Sequence, residues 1–132
     1  MCVFCKIVNG EIPAYKVYED NDFLAFLDIS QATFGHTLVV PKKHYDNIFA
    51  LEEEKAAEMM KVVLKLSKKL KSALGIDALN VLNNNGPLAG QSVNHVHIHL
   101  IPRYQNDGVI MKFPENKLTE EEFKKLLSKI NS

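Results

Sequence analysis

"NHVHIHLIP", residues 94–102, sets three imidazoles in strict alternation: His95, His97 and His99, with Val96, Ile98 and Leu100 in the gaps. Three of the chain's five histidines fall within these five residues. In a β-strand, residues i, i+2 and i+4 share a face. The stretch therefore predicts a strand with a row of imidazoles on one face and an apolar opposite face packed on the core. Neighbours on the row stand about 6.6 Å apart, from a rise of about 3.3 Å per residue. That spacing suits an extended polar ligand, or one reacting histidine with neighbours that orient it. A solvated polar face is the plain alternative. The apolar gaps, with no other polar residue interleaved, favour a catalytic or metal-binding row.

Immediately upstream lies "NNNGPLAGQSVNH", residues 83–95. Gly86, Gly90, Gln91 and Ser92 make this a loop that leads into the row. Glycines let backbone N–H groups approach an anion closely, and a hydroxyl adds a donor. Alone, such a loop is more often only a turn. Beside neutral imidazole, with its ordinary pKa of about 6.5, it points to covalent phosphoryl or nucleotidyl transfer.

Further outward, "AYKVYED" (14–20) alternates and meets a turn signal, "FLAFLDI" (23–29) reads as a strand buried on both faces, and "GHTLVVP" (35–41) is a third strand stopped by Pro41. "LEEEKAAEMMKVVLKLSKKLKSALG" (51–75) is a long helix. Met59, Val62, Val63, Leu66, Leu70 and Leu74 recur at three- and four-residue steps, acids fill the first turns, and Gly75 can end it. "ALNVLNN" (78–84) and "HVHIHLIP" (95–102) complete five strands. "TEEEFKKLLSKI" (119–130) closes as a short amphipathic helix with Thr119 as N-cap and Glu122 three residues on. The expected class is α+β, a five-stranded mainly antiparallel sheet with one long inserted helix and a short C-terminal helix, in a single domain over 1–132.

Composition removes several functions. The net charge is zero, so no global field draws nucleic acid or an anionic membrane. Arg103 is the sole arginine, which leaves no arginine cluster for phosphate. No apolar run is long enough to span a bilayer, and "MCVFCKIVNGEIP" lacks the layout of a signal peptide, so the expected location is cytoplasmic. There, Cys2 and Cys5 are expected to be reduced, metal-bound or catalytic, and their Cys-x-x-Cys spacing is that of a zinc half-site.

"HVHIHLI" resembles the signature of the histidine triad (HIT) family, His-φ-His-φ-His-φ-φ with φ apolar, at every position. The resemblance extends over "GEIPAYKVYEDNDFLAFLDISQATFGHTLVVPKKHYDNI" (10–48) and "GQSVNHVHIHLIPR" (90–103), which look like the Hint and bacterial Hit branch. It implies a homodimer with joined sheets, acting on the α-phosphate of purine nucleotides as a hydrolase or transferase. By the same likeness His97 is the nucleophile and His95 and His99 flank it. Ser92 and Gln91 touch the phosphate and leaving group, with Gly90 among the backbone donors, and Asn84 lies near the phosphate. Asp28 holds both ribose hydroxyls, and Phe4, Ile7, Phe26 and Ile29 wall the base pocket. His36 lies near the triad. In some bacterial Hit proteins the metal set is Cys-x-x-Cys, a histidine after the third strand and the first triad histidine, here Cys2, Cys5, His44 and His95, implying one structural zinc. The C-terminal segment departs from animal Hint proteins in lacking tryptophan. A dinucleoside polyphosphate hydrolase of the Fhit type, a non-catalytic nucleotide sensor and a zinc-dependent hydrolase are the rival readings. The last is disfavoured because two cysteines and two histidines leave no open metal position.

Overall fold

The computed structural model describes residues 2–132. Its elements are α1 (Val3–Val8), β1 (Lys16–Glu19), β2 (Phe23–Leu27), β3 (Thr37–Pro41), α2 (Glu53–Leu74), β4 (Ala78–Leu82), β5 (Ile98–Arg103) and α3 (Glu120–Ile130), with short 3-10 turns at Ile48–Ala50 and Pro87–Ala89. The five strands form one sheet in the order β1-β2-β3-β5-β4, every neighbouring pair antiparallel. The chain leaves β3 through α2 to the far edge at β4. It then returns to lay β5 between β3 and β4. The histidine strand is thus interior, paired on both sides at His99, with Leu38 and with Leu82.

The sheet is covered on both faces, as the continuous apolar run of β2 anticipates. On one face Met59, Val62, Val63, Leu66 and Leu70 of α2 pack on Phe23, Ala25, Val39 and Leu100. Burying each such side chain stabilises the fold by about 2 kcal/mol before entropy is counted. Leu74, the last member of that stripe, is half-exposed, because the helix ends there at Gly75 in a left-handed conformation. On the other face α1 lays Phe4 and Ile7 against Leu24, Phe26, Leu38 and Val40. Asp20 closes the β1–β2 turn by accepting from the N–H groups of Asp22 (2.8 Å) and Phe23 (2.7 Å). The capping box at Thr119 and Glu122 is present at the start of α3.

Two features differ from the sequence reading. An additional helix, α1, is started by Cys2, whose Sγ accepts the Cys5 N–H at 3.1 Å. And the fifth strand begins at Ile98 rather than His95. The Val96 N–H is drawn out of the ladder to the Tyr45 carbonyl at 2.7 Å, so His95 and His97 sit on an extended lead-in to the strand. No helix among the described residues is long and apolar enough to cross a membrane.

Candidate active site and metal cluster

The lead-in still keeps the three histidines on one side, the α1 side of the sheet. Phe4 makes edge contacts with His95 (ring centroids 5.9 Å) and His97 (5.0 Å), and His97 with His99 (4.9 Å). His95 and His97 are 0% and 3% exposed. Burial disfavours the charged imidazole, and it holds His95 and His97 below the ordinary histidine value. His99 falls to about 4 through burial, then the nearby His97 and His36. The row is therefore neutral at pH 7.

Backbone carbonyls fix which nitrogen carries each proton. His97 Nδ1 lies 2.7 Å from the His95 carbonyl. A carbonyl only accepts, so Nδ1 is the donor and Nε2 of His97 is a bare lone pair. That carbonyl segment is steadied in turn, because Asn83 donates Nδ2–H to the His97 carbonyl at 2.9 Å. His95 Nε2 lies 2.8 Å from the Pro41 carbonyl, which leaves Nδ1 of His95 bare.

Bare Nδ1 of His95 faces the two cysteines, 3.3 Å from Cys2 Sγ and 3.5 Å from Cys5 Sγ. His44 arrives from the loop after β3, its Nδ1 3.6 Å from Cys2 Sγ and 3.3 Å from Cys5 Sγ. Its Nε2 donates to Asp46 Oδ1 at 2.8 Å, which leaves Nδ1 bare in the neutral ring; the same Asp46 contact, against burial, raises this histidine above its ordinary value. All four donor atoms lie within 4.8 Å of one another, an arrangement that can hold a metal ion. Both imidazoles have the outer hydrogen bond that orients a ligating histidine. At Cys2 burial works against the thiolate, yet the Cys5 thiol, the Cys5 N–H and His44 outweigh it and hold the thiol below its ordinary value.

A cavity of about 280 Å³ lies between α1 and β2, close to the lower end of ligand-pocket sizes of about 300 Å³. Phe4, Ile7, Phe26, Asp28 and Ile29 all line it. Phe4 ties the cavity to His97. Asp28 ties it to the far end of the row, its Oδ2 3.6 Å from His36 Nε2, while His36 Nε2 is 2.9 Å from His99 Nδ1. Ile29 stands at the rim, 87% exposed. A larger hollow of about 370 Å³ between Gln31–Phe34 and Tyr104–Asp107 is lined by no histidine.

The loop before the row is tied down from within. Gln91 spends its amide inside the protein, accepting from the Gly86 N–H (2.8 Å) and donating to the carbonyls of Asp46 (2.7 Å) and Val93 (2.9 Å). Ser92 is exposed at the loop's end, and Asn84 lies beside Gly90. Gly86 and Gly90 both have φ of 90°, a conformation that favours glycine. Asn83, Asp46 and Gln31 were missed by the sequence reading. The only signals for them are the run of three asparagines and the position of Asp46 two residues after His44.

The HIT domain family profile matches residues 9–106. An uncharacterised HIT-like protein of Methanocaldococcus jannaschii is 56% identical over 117 residues, covering 89% of this chain and 90% of the relative. The adenosine 5'-monophosphoramidase of Schizosaccharomyces pombe is 42% identical over 132 residues, covering 99% of this chain and 96% of its own length. A crystal structure of a Streptococcus mutans protein superposes with a TM-score of 0.94 at 45% identity, over 98% of this chain and 83% of that one. The interior histidine strand, the buried row and these likenesses place the chain in the HIT domain family.

Proposed function

We propose that this protein is a cytoplasmic purine nucleotide hydrolase or nucleotidyl transferase that acts at the α-phosphate, with nucleoside phosphoramidates or related conjugates as substrates, through a nucleotidyl-His97 intermediate. The observation that carries the reading is the bare Nε2 of a buried, neutral His97 beside an apolar cavity that ends in a carboxylate. The base enters the cavity among Phe4, Ile7, Phe26 and Ile29. Ionised Asp28 only accepts hydrogen bonds and can take them from two adjacent ribose hydroxyls. The α-phosphate then lies against the row and the backbone N–H groups near Gly90 and Ser92, with Asn84, Gln91 and His36 close by. His97 Nε2 attacks phosphorus and the P–N or P–O bond to the leaving group breaks. Ser92 or His99 passes a proton to that group, and water hydrolyses the nucleotidyl-histidine. The loop carries no arginine, and Arg103 is engaged with Asp107 and Asn80, so backbone N–H groups and imidazoles stabilise the developing charge. The name of the fission-yeast relative supports a phosphoramidate over a dinucleoside polyphosphate.

The metal of this reading is zinc, held by Cys2, Cys5, His44 and His95. Thiolate and imidazole are zinc's preferred donors, and bond lengths of about 2.3 and 2.0 Å put sulfur and nitrogen ligands roughly 3.5 Å apart on a tetrahedron. The observed sulfur–nitrogen separations of 3.3 to 3.6 Å fit, and the two sulfurs, 2.9 Å apart, would have to part to roughly 3.8 Å to share the ion. The set is closed, so the ion would supply a cross-link between α1, the β3 loop and the row, and no chemistry. A homodimer follows from the family likeness and is supported by β4, an edge strand with half-exposed Val81. Sedimentation showing only a stable monomer at micromolar concentration contradicts the dimer.

The test offers an adenosine phosphoramidate and a diadenosine polyphosphate to the wild type and to His97→Ala. Faster turnover of the phosphoramidate, lost in the variant while nucleotide binding persists, is expected. Preference for the polyphosphate assigns the alternative hydrolase, and binding without any turnover assigns a sensor.

A further inference from the structure

Between Asp28 and His36 the chain makes a braced loop that the proposed cycle leaves unused. Gln31 donates Nε2–H to the carbonyls of Asp28 and His36, the latter at 2.7 Å, and accepts the Gly35 N–H at 2.8 Å. Asp28 Oδ1 accepts the Ser30 N–H at 2.8 Å. Held this way, the loop aims the Ala32 N–H at His36 Nδ1, 3.1 Å away. An N–H can be given only to a lone pair, so Nδ1 of His36 is bare and the neutral ring carries its proton on Nε2. That proton faces His99 Nδ1 at 2.9 Å. Nδ1 of His99 must accept it, so His99 carries its own proton on Nε2.

The same wiring rules on a second cluster. Asp28, His36 and His99 also lie close enough to suggest a metal site. Ligation there would need a bare Nε2 on His36, which the Ala32 N–H forbids for a neutral ring. The cluster is a hydrogen-bond chain.

Two neighbouring rings of the row are thus set in opposite tautomers. His97 keeps its proton on Nδ1, toward the His95 carbonyl, and offers a bare Nε2. His99 keeps a bare Nδ1, toward His36, and carries its proton on Nε2. We propose that His36 is a positioning residue that fixes the tautomer of His99, so that His99 meets a phosphoryl oxygen as a neutral N–H donor beside the nucleophilic nitrogen of His97. This rests on the reading of His97 as the nucleophile. A donor preset at the site where charge develops needs no reorganisation during the reaction. The source of its direction is a backbone amide, which cannot titrate. Burial holds both His36 and His99 below the ordinary histidine value, against nearby Asp28 at both rings and the Ser30 carbonyl at His36, so the chain of donors persists at neutral pH.

The test is long-range proton–nitrogen NMR of the imidazoles in the full chain at pH 7, joined to kinetics on an adenosine phosphoramidate. The wild type should show His99 as the Nε2–H tautomer and His97 as the Nδ1–H tautomer. In His36→Leu, the His99 signals should move to a mixture of tautomers, and kcat should fall on the order of ten- to a hundredfold with KM little changed. His36→Gln, whose amide N–H can donate in place of Nε2–H, should restore most of both. A wild-type His99 in the Nδ1–H form overturns the proposal. So does an unchanged His99 tautomer in His36→Leu, or a folded His36→Gln no better than His36→Leu. Should His36→Leu fail to fold, the wild-type spectrum and His36→Gln decide. The tautomer readout needs no substrate, so it stands or falls apart from the hydrolase reading.

Discussion

Acidification should unfold this protein through His99, and the amount can be worked from the site. Partial burial first, and then the nearby His97 and His36, take the pKa of this ring from the ordinary 6.5 to about 4. The folded chain therefore refuses a proton that the unfolded chain accepts. Stability from this group is complete above pH 6.5 and is lost as the pH falls toward 4, below which the contribution is level. A pKa unit is worth about 1.36 kcal/mol, so the loss across that window is about 3 kcal/mol. Nearby Asp28 favours the charged ring and works against the shift, a smaller effect already included in that figure. The perturbation is His99→Gln, which is polar and does not titrate. It leaves the His36 proton less well accepted, so the variant is less stable at every pH, but that offset is constant. Urea unfolding of both proteins from pH 7 to pH 4 reads the difference in slope. Protonation of Cys2, Cys5, His44 and His95 is common to both and cancels. The wild type should lose about 3 kcal/mol more than the variant between pH 6.5 and 4. Parallel curves would refute the reasoning, because they would show that His99 is not a buried neutral imidazole.

Asp28→Ala should weaken ribonucleotides much more than 2'-deoxynucleotides, by about 1.5–3 kcal/mol for the lost charged acceptor; equal losses in equilibrium titration contradict the ribose assignment. Cys5→Ser should lower both the metal content by elemental analysis and the melting temperature, since metal binding to a site formed only on folding adds to stability. A metal-free wild type with full activity contradicts the structural metal. Gly35→Ala should cost on the order of 1–3 kcal/mol in thermal or urea unfolding, because Gly35 has φ of 96° and an added Cβ would stand 2.5 Å from Leu74 Cδ1 and 3.2 Å from Pro102 Cγ. An unchanged melting temperature would show that the β3 approach tolerates a side chain.

Most of the sheet was legible because its signals are local. The α2 stripe, the run of β2 and the Thr119 capping box each rest on residues within a turn or a strand of one another. α1 was not legible: "VFCKIV" is six residues with two β-branched ends, and what makes it helical is the Cys2 sulfur as cap and the sheet face beneath Phe4 and Ile7. The true start of β5 was hidden for a similar reason. The Val96 N–H leaves the ladder for Tyr45, 51 positions earlier in the chain, and no period in "NHVHIHLIP" reports that. At the site, residue types were legible and wiring was not. The row, and the four residues that the fold brings close enough to hold a metal ion, could be named from spacing and likeness. The amide engagement of Gln91, and the Ala32 N–H that sets the His36 tautomer, depend on backbone directions that only the folded loops fix.

The most direct test of the account is to catch the covalent enzyme. The protein is mixed with an adenosine phosphoramidate, quenched within the first turnover under conditions that preserve phosphohistidine, digested and weighed by mass spectrometry. The account predicts an increment of one adenylyl group on the peptide that carries His97, placed by fragmentation on that residue, and no such increment in His97→Ala. An increment on another residue, or full turnover by His97→Ala, would contradict it.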